Sequence, residues 1–291
     1  MHVLKPTKES RLFDFLLEAL HGIKRTKLKS YLRDNAITVN GKTVTRFDTP
    51  IKPGDTVALI TDRGEAVKYK LKSKLDIVFE DPSIIVISKP SGLLTIATER
   101  ENEKTAYAYV HQYLKTKTPR NPKPVFIVHR LDQDASGLIV FAKNAESKIF
   151  LQENWHEFEK HYFAVVDGIP KKKSDIIESW LSEGPTLKMF SSPKETFGSK
   201  FSITEYEVQP SSKKNALLLV KLQTGRKHQI RVHLASIGHP ILGDEKYGGK
   251  DNEKKSKRLA LHSCYLRIQH PKTGDVVSFR SELPPDFTQL L

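Results

Sequence analysis

The apolar positions of the first sixty residues follow a helical period and then the shorter period of strands. Apolar residues recur at three- and four-residue steps over 12–23 and again over 26–33, which predicts two amphipathic helices. The strands that follow are joined by Asn40-Gly41, a dipeptide typical of a two-residue type I′ hairpin turn. A Pro-Gly-Asp turn and a closing apolar strand over 57–60 complete a small module of two helices and a hairpin.

From residue 77 onward the apolar positions form short runs, with only a few helical stretches between them. We predict strands over 77–80, 84–88, 125–128, 138–142, 160–166, 203–208 and 216–222, and helices over 105–115, 145–158 and 226–237. Ser136 and Gly137 are predicted to supply a turn before the strand at 138–142. Because strands and helices do not alternate regularly, we expect an α+β fold with a mainly antiparallel or mixed sheet and flanking helices.

The boundary between the two parts is a charged segment without a clear period, residues 66–74, which we interpret as a linker. We therefore expect two domains, a small helix-and-hairpin domain with its linker over 1–70 and a larger domain over 71–291. A chain of 291 residues is long enough for a sizeable core.

The charge of the chain is strongly positive and unevenly distributed. The chain has 48 Lys and Arg against 34 Asp and Glu, a net charge of +14, and residues 1–72 hold 15 basic and 8 acidic residues, or +7. Such an excess indicates a polyanionic partner such as nucleic acid, although a basic helix can also be only a solvated face. The candidate RNA-binding residues of the small module are Lys24, Arg25, Lys27, Lys29, Arg33 and Lys42.

Several function classes are not indicated by the sequence. Cys264 is the single cysteine, so the chain has no internal disulfide and no thiolate metal cluster. No apolar run is long enough to span a bilayer and no secretory signal begins the chain, so we expect a soluble, cytoplasmic protein without a membrane partner. Phosphate-binding glycine motifs, the zinc-protease motif and the serine-hydrolase motif are absent. A metal site built from His129, Asp132, Asp134 and His233 stays open.

The most polar loop between two predicted apolar strands lies in residues 129–143, HRLDQDASGLIVFAK. A loop held at both ends by buried strands is a rigid mount for charged side chains. Asp132 is flanked by Arg130, whose charge can keep a partly desolvated carboxylate ionised. A carboxylate combined with a tyrosine and a basic residue suits covalent or acid–base chemistry, and the residues alone leave the reaction open.

This loop resembles the signature of the RluA-type pseudouridine synthases. Further segments resemble those of the family in the same order: VFEDPSIIVISKPSGLLT, KHYFAVVDG, TGRKHQIRVHLASIGHPILGDEKYG and RLALHS. The order of elements over 10–65, with VNGK and PGD, resembles the S-four-like RNA-binding domain. The resemblance implies an enzyme that isomerises uridine to pseudouridine without a cofactor, in ribosomal RNA or alternatively in transfer RNA.

The same resemblance implies roles for three residues of the large domain. Asp132 is expected to be the catalytic aspartate, acting either by attack on the ribose or by moving a ribose proton. Tyr162 is expected to stack on the flipped uracil and to take the proton from carbon in the last step, and Arg231 to pair with Asp132.

Three more residues are expected to shape the substrate site. Arg130 is expected to enter the space that the flipped uridine leaves, His129 to order the loop, and Leu261 to form part of the uracil pocket floor. We expect a monomer without an obligate protein partner and without a metal. Two other interpretations stay open, a non-catalytic RNA-binding or ribosome-assembly protein that retains the fold, and a metal-dependent nuclease or deaminase.

Overall fold

The chain divides into two compact units, residues 1–72 and 73–291. A computed structural model describes residues 2–20, 22–23, 25–33, 36–59, 75–98, 101, 104–118, 124–209, 214–249 and 251–291, without the side chains at positions 2, 27, 30, 33 and 253. The predicted linker therefore lies outside the described residues. No helix among the described residues is long and apolar enough to cross a membrane.

The first unit combines two helices with a small antiparallel sheet. Its elements are β1 (His2–Leu4), β2 (Ser10–Arg11), α1 (Leu12–Ala19), α2 (Arg25–Arg33), β3 (Ile37–Val39), β4 (Lys42–Thr43), β5 (Pro50–Ile51) and β6 (Val57–Leu59). The sheet has the order β1-β6-β3-β4, and β2 pairs with β5. Leucines of both helices pack with Ile37 and Val57 in one core. Asn40 (φ 52°) and Gly41 (φ 79°) both have positive φ between β3 and β4, so the predicted hairpin turn is confirmed.

The second unit contains one large mixed sheet with helices on both faces. Its strands are β7 (Asp76–Glu80), β8 (Ile84–Lys89), β9 (Phe126–Ile127), β10 (Ser136–Ala142), β11 (Glu159–Asp167), β12 (Ser174–Glu183), β13 (Met189–Ser192), β14 (Lys200–Val208), β15 (Asn215–Leu222), β16 (Leu261–Gln269) and β17 (Val276–Arg280). Its helices are α3 (Ala106–Lys117), α4 (Ala145–Glu153), α5 (Gln229–Ser236) and α6 (Pro285–Thr288).

The strand order is β13-β12-β14-β15-β11-β16-β10-β8-β7, with β17 beside β16 and β9 beside β10. Among the described strands, β10 and β16 form the single parallel pair, and the other pairs of this sheet are antiparallel. The predicted α+β class with a mainly antiparallel sheet is therefore confirmed.

The strands β8 and β10 each contain a continuous apolar run because both of their faces are covered. On β8, Ile85 and Ile87 face a core shared with α3 and α5, while Ile84 and Val86 face a second core shared with α4. A strand buried on both faces has a continuous apolar run instead of an alternating one. This is why residues 84–88 were readily predicted as a strand.

The predicted turn at Ser136 and Gly137 is wrong, because both residues belong to β10. Gly137 has φ 108°, and a Cβ atom built there would lie 2.2 Å from the carbonyl oxygen of Ser263. Glycine at this position therefore lets β10 approach β16 closely enough to form the parallel pair.

Four strands of the second unit were not predicted, β12, β13, β16 and β17. The central strand β16 carries LHSCYLRIQ, in which His262 and Ser263 are buried polar residues. The ring nitrogens of His262 hydrogen-bond with Ser136 Oγ (2.8 Å) and Ser281 Oγ (2.9 Å). Because these polar groups are satisfied inside the fold, the strand is buried without an apolar pattern.

Candidate active site

Asp132 lies in the loop between β9 and β10. The end of β8 and the turn that follows it are hydrogen-bonded to this loop. The buried Lys89 ammonium donates to the carbonyl oxygens of Pro90 (3.0 Å), Leu93 (2.7 Å) and Gln133 (2.9 Å). Burial lowers the pKa of Lys89 to about 8. The loop conformation is thus fixed by a lysine whose three donors all have protein acceptors.

Hydrogen bonds from the same turn fix the residues on both sides of Asp132. Thr95 Oγ1 donates to the carbonyl oxygen of Leu131 (2.8 Å) and accepts its N–H (3.2 Å). Ser91 Oγ donates to the carbonyl oxygen of Asp134 (2.6 Å). The backbone around Asp132 is therefore tied at several points, as expected for a loop that must present one side chain.

The charge partner of Asp132 is Arg231, at the start of α5. Nη1 of Arg231 donates to Oδ2 of Asp132 (3.1 Å), while Nε and Nη2 donate to the two carboxylate oxygens of Asp244 (2.8 Å each). Asp244 is fully buried, and Asp132 keeps 25% of its side chain exposed. Burial acts to lower the pKa of Arg231, but its hydrogen bonds to Asp244 and the charges of both carboxylates raise it above the ordinary value. Arg231 is thus a fixed cation with one arm on each aspartate.

The adjacent Arg130, considered in the sequence as a charge partner of Asp132, has an exposed side chain at the cavity. Within the part of the chain that the structure describes, its side chain forms no hydrogen bond or ion pair. It is therefore available for a ligand, and the charge of Asp132 is balanced by Arg231 instead.

A second set of contacts involves Oδ1, the other carboxylate oxygen of Asp132. Nε2 of His228 lies 3.9 Å from Oδ1 of Asp132, and its Nδ1 hydrogen-bonds with the Tyr247 hydroxyl (2.8 Å). That hydroxyl accepts the backbone N–H of Met189 (3.0 Å), and the Tyr247 ring lies 5.2 Å from the Arg231 guanidinium carbon. Burial lowers the pKa of His228 despite the nearby Asp132 carboxylate, so its ring is neutral at neutral pH.

Tyr162 and Leu261 belong to the apolar lining of the site. Tyr162 on β11 is buried, and Leu261 begins the neighbouring strand β16. Burial, followed by the negative charge of Asp132, raises the pKa of Tyr162 above its ordinary value. The phenol is therefore protonated at neutral pH.

His129 contacts both β10 and Trp155. Its Nε2 accepts the backbone N–H of Val140 (3.1 Å), and its ring stacks on Trp155 at a centroid distance of 4.1 Å. Burial lowers the pKa of His129 to about 3, so the ring does not carry a proton at neutral pH.

These side chains surround one cavity of about 550 Å³ in the second unit. The volume is within the range of small-ligand sites, roughly 300–1,000 Å³. All six residues predicted for this domain line the cavity: His129, Arg130, Asp132, Tyr162, Arg231 and Leu261. Arg226 and Lys227 also line it, so basic side chains outnumber the single carboxylate and the cavity suits an anionic ligand.

The residues considered for a metal site are not brought together. Among the described residues, no group of three His, Cys, Asp or Glu side chains could hold a metal ion. The two ring nitrogens of His233 hydrogen-bond with Ser179 Oγ (2.9 Å) and Thr204 Oγ1 (2.8 Å) inside the core.

The site contains three residues that the sequence did not indicate individually, Asp244, His228 and Tyr247. All three lie inside the segment TGRKHQIRVHLASIGHPILGDEKYG, whose resemblance to the family does not show which residues contact each other. Asp244 follows Arg231 by 13 residues, and only the turn after α5 brings the two together. No periodic pattern could have indicated this pair.

The basic residues predicted for the small unit are described only in part. Arg25, Lys29 and Lys42 are exposed. Lys24 lies outside the described residues, and the side chains of Lys27 and Arg33 are not described.

The sequence and the fold are similar to those of known proteins. A family model described as RNA pseudouridylate synthase matches residues 83–236. The chain is 30% identical to the ribosomal large subunit pseudouridine synthase D of Pasteurella multocida, over 97% of this chain and 90% of that protein. It is 32% identical to an uncharacterized RNA pseudouridine synthase of Aquifex aeolicus, over 96% and 92%. The structure of human RNA pseudouridylate synthase domain containing 4 has a similar fold, with a TM-score of 0.62 and 23% identity over 74% of this chain and 91% of that one.

Proposed function

The chain belongs to the RNA pseudouridylate synthase family, and on that premise we propose that it isomerises a uridine of ribosomal RNA with Asp132 as the catalytic carboxylate. The proposal rests mainly on the Arg231 guanidinium, which donates hydrogen bonds both to Asp132 at the cavity and to the buried Asp244. The relatives named ribosomal large subunit pseudouridine synthase D support ribosomal RNA as the substrate.

The proposed reaction needs no external oxidant or energy source because the product is an isomer. The N1–C1′ bond of the uridine breaks, the uracil turns, and C5 joins C1′ while a proton leaves C5 and one is taken up at N1. Asp132 acts on the ribose, either by a bond to C1′ that breaks when C5 joins C1′, or by removing the C2′ proton and returning it after that bond has formed. Arg231 fixes the carboxylate in both routes and places a positive charge beside it, since its guanidinium remains charged.

Tyr162 is proposed to stack on the flipped uracil from within the cavity. Its raised pKa supports this role over that of proton acceptor, because a protonated phenol is a weak base. Arg130 is proposed to enter the stack where the uridine was, which its free and exposed side chain supports. His129 orders the loop and Leu261 covers the base.

The small unit is proposed to be an S-four-like RNA-binding domain that adds affinity through Arg25, Lys29 and Lys42. Their exposure supports phosphate contacts. We further propose a monomeric protein that acts in the cytoplasm without an obligate protein partner. Light scattering on the purified protein, with and without RNA, tests the monomer.

The first prediction tests the proposed activity through Asp132→Asn, which keeps the shape of the side chain and removes its charge. Wild-type protein should release tritium from RNA labelled at C5 of uridine, and the variant should lose more than about 1,000-fold of this rate while binding RNA within a few-fold. Full activity of the variant would refute the role of Asp132. A wild-type protein that binds RNA without releasing tritium would instead be a non-catalytic RNA-binding protein.

The uridine itself is found by comparing pseudouridines in total RNA from a deletion strain and its parent. A lost site in large-subunit ribosomal RNA is expected. A lost site only in transfer RNA would correct the substrate and leave the enzyme class unchanged.

A further inference from the structure

Three lysine side chains are buried among the described residues, and their partners differ sharply. Lys143 pairs with the carboxylate of Glu80 (2.8 Å), and Lys89 donates to three carbonyl oxygens. Lys160 has only one acceptor among the described residues, the carbonyl oxygen of Trp155 (2.8 Å), and no carboxylate within ion-pair distance. Two of the three N–H donors of the Lys160 ammonium therefore lack a protein acceptor.

Lys160 lies in the wall of the cavity that contains Asp132. It precedes Tyr162 by two residues on β11, and both side chains line the cavity. The ammonium is 5.7 Å from the centre of the Trp155 ring, which itself stacks on His129. Lys160 thus borders the cavity in which the proposed function places the target nucleotide.

The protein gains little by itself from this arrangement. A buried cation without a counter-ion costs stability, and burial lowers the pKa of Lys160 to about 8. The single carbonyl and the aromatic face offset only part of that cost. A ligand anion would supply the missing charge, as phosphate oxygens do for lysine in many sites.

We propose that Lys160 binds a phosphodiester oxygen next to the target uridine, within the same cavity as Asp132. The inference rests on the proposed function, because it takes RNA as the ligand. A phosphate is the fitting group because each nucleotide carries one beside its ribose. The reacting ribose itself belongs at Asp132, which pairs with Arg231 and not with Lys160.

The experiment compares Lys160→Met, which keeps length without charge, with Lys160→Arg, which keeps charge. The control is Lys221→Met, an exposed lysine on the neighbouring strand β15 that does not line the cavity. The probe is a transcript of large-subunit ribosomal RNA.

The Met variant at position 160 should bind this RNA about tenfold more weakly, with kcat at saturating RNA within twofold of the wild-type value. The slope of log affinity against log salt should fall by about 0.7–0.9. The Arg variant should recover most of the affinity, and the control should match wild type.

Three results would overturn the proposal. The first is an unchanged Kd and salt slope in Lys160→Met. The second is a loss of kcat with Kd intact, which would place the ammonium on the reacting base. The third is a melting temperature lowered in both Lys160 variants together with losses of affinity and kcat, which indicates a structural role. The proposal instead expects a melting temperature of Lys160→Met equal to or above that of wild type, because a costly buried charge is gone.

A final comparison separates this inference from the proposed function. Once the target uridine is mapped, a neutral methylphosphonate linkage is placed singly on its 5′ or 3′ side. At one of these positions the neutral linkage should weaken RNA binding by wild type and leave RNA binding by Lys160→Met unchanged. Equal weakening of RNA binding for both proteins at each position would refute the subsite. A wild-type protein that releases no tritium from any RNA would refute the proposed function itself, whatever the Lys160 variants bind.

Discussion

At the scale of single residues, the site depends on one guanidinium shared by two carboxylates of different character. Asp244 is buried and accepts two N–H groups of Arg231 as well as the backbone N–H groups of Lys246 and Tyr247 (3.0 Å each). Asp132 is partly exposed and receives only the third. The buried aspartate therefore fixes the arginine, and the arginine orients the exposed aspartate toward the cavity.

Replacing Arg231 with alanine should lower turnover far more than RNA affinity. We expect kcat to fall by about 100-fold or more with Kd within a few-fold, because the fork positions Asp132 and does not face solvent. The change should also lower the free energy of unfolding by about 3–5 kcal/mol, since the Asp244 carboxylate is left buried without its cation. Tritium release, RNA binding and urea unfolding measure the three quantities. Equal losses in kcat and affinity would place Arg231 on the RNA phosphates instead.

The residues that sequence reasoning found are those that carry a local signal. Asp132 is set in a polar loop between apolar strands, and the resemblance supplied Tyr162 and Arg231. The pairing of Asp244 with Arg231 and the burial of Lys160 depend on tertiary packing, and a linear pattern does not contain that information.

At the scale of elements, the parallel contact between β10 and β16 depends on a missing side chain. Gly137→Ala should destabilise the second unit by more than about 3 kcal/mol, because its Cβ would meet backbone at 2.2 Å in a left-handed conformation. Gly198→Ala is the matched control, with φ +73° and open space around it, and should cost only about 1 kcal/mol. Chemical denaturation of both variants gives the comparison. Similar losses would mean that backbone strain alone, and not the close approach, sets the requirement.

Glu80 connects β7 with α3 and the end of β10. Burial acts to raise its pKa, but hydrogen bonds from Lys117, Lys143 and Tyr113 lower it from 4.5 to about 2. Its contribution to stability is therefore complete above pH 4.5 and is lost as the pH falls toward 2, because the unfolded chain takes up the proton first.

Glu80→Gln should accordingly reduce the free energy of unfolding at pH 7 by an amount on the order of 2 kcal/mol, with the difference from wild type vanishing near pH 2. Urea unfolding at several pH values between 7 and 2 follows this convergence. Glu178→Gln, at an exposed carboxylate on β12 without a partner in the described part of the chain, should track wild type throughout. A Glu80→Gln difference that stays constant with pH would contradict the assignment.

The elements predicted from sequence are those with a clear apolar pattern, a continuous run in β8 and a helical period in α1. β16 lacks such a pattern because it carries the buried His262, whose ring hydrogen-bonds with Ser136 on β10 and with Ser281 after β17. The start of α5 at Gln229 was also displaced, since His228 adopts a left-handed conformation (φ 53°) before it. In each case a tertiary contact decided what local preference could not.

At the scale of the whole molecule, positive charge is concentrated in a unit that does not contain the cavity residues. Replacing Arg25, Lys29 and Lys42 together with glutamine in the full chain should weaken RNA binding by at least about tenfold at moderate salt and reduce the salt slope by about 2–3. The kcat at saturating RNA should stay within twofold, because Asp132 and its partners are unchanged. Filter binding and single-turnover tritium release test this, and an unchanged salt slope would show that the small unit does not contact phosphates.

The parallel pairing of β10 with β16 also means that the cavity can form only late in translation. Ser136 and its partner His262 are 126 positions apart along the chain. At roughly 5–20 residues per second, roughly 6–25 seconds separate their emergence from the ribosome. Throughout that interval a nascent chain contains Asp132 while Leu261, which also lines the cavity, has not yet been made. The complete cavity therefore forms late in translation. A chain truncated before β16 should be catalytically inactive, however well its earlier segments fold.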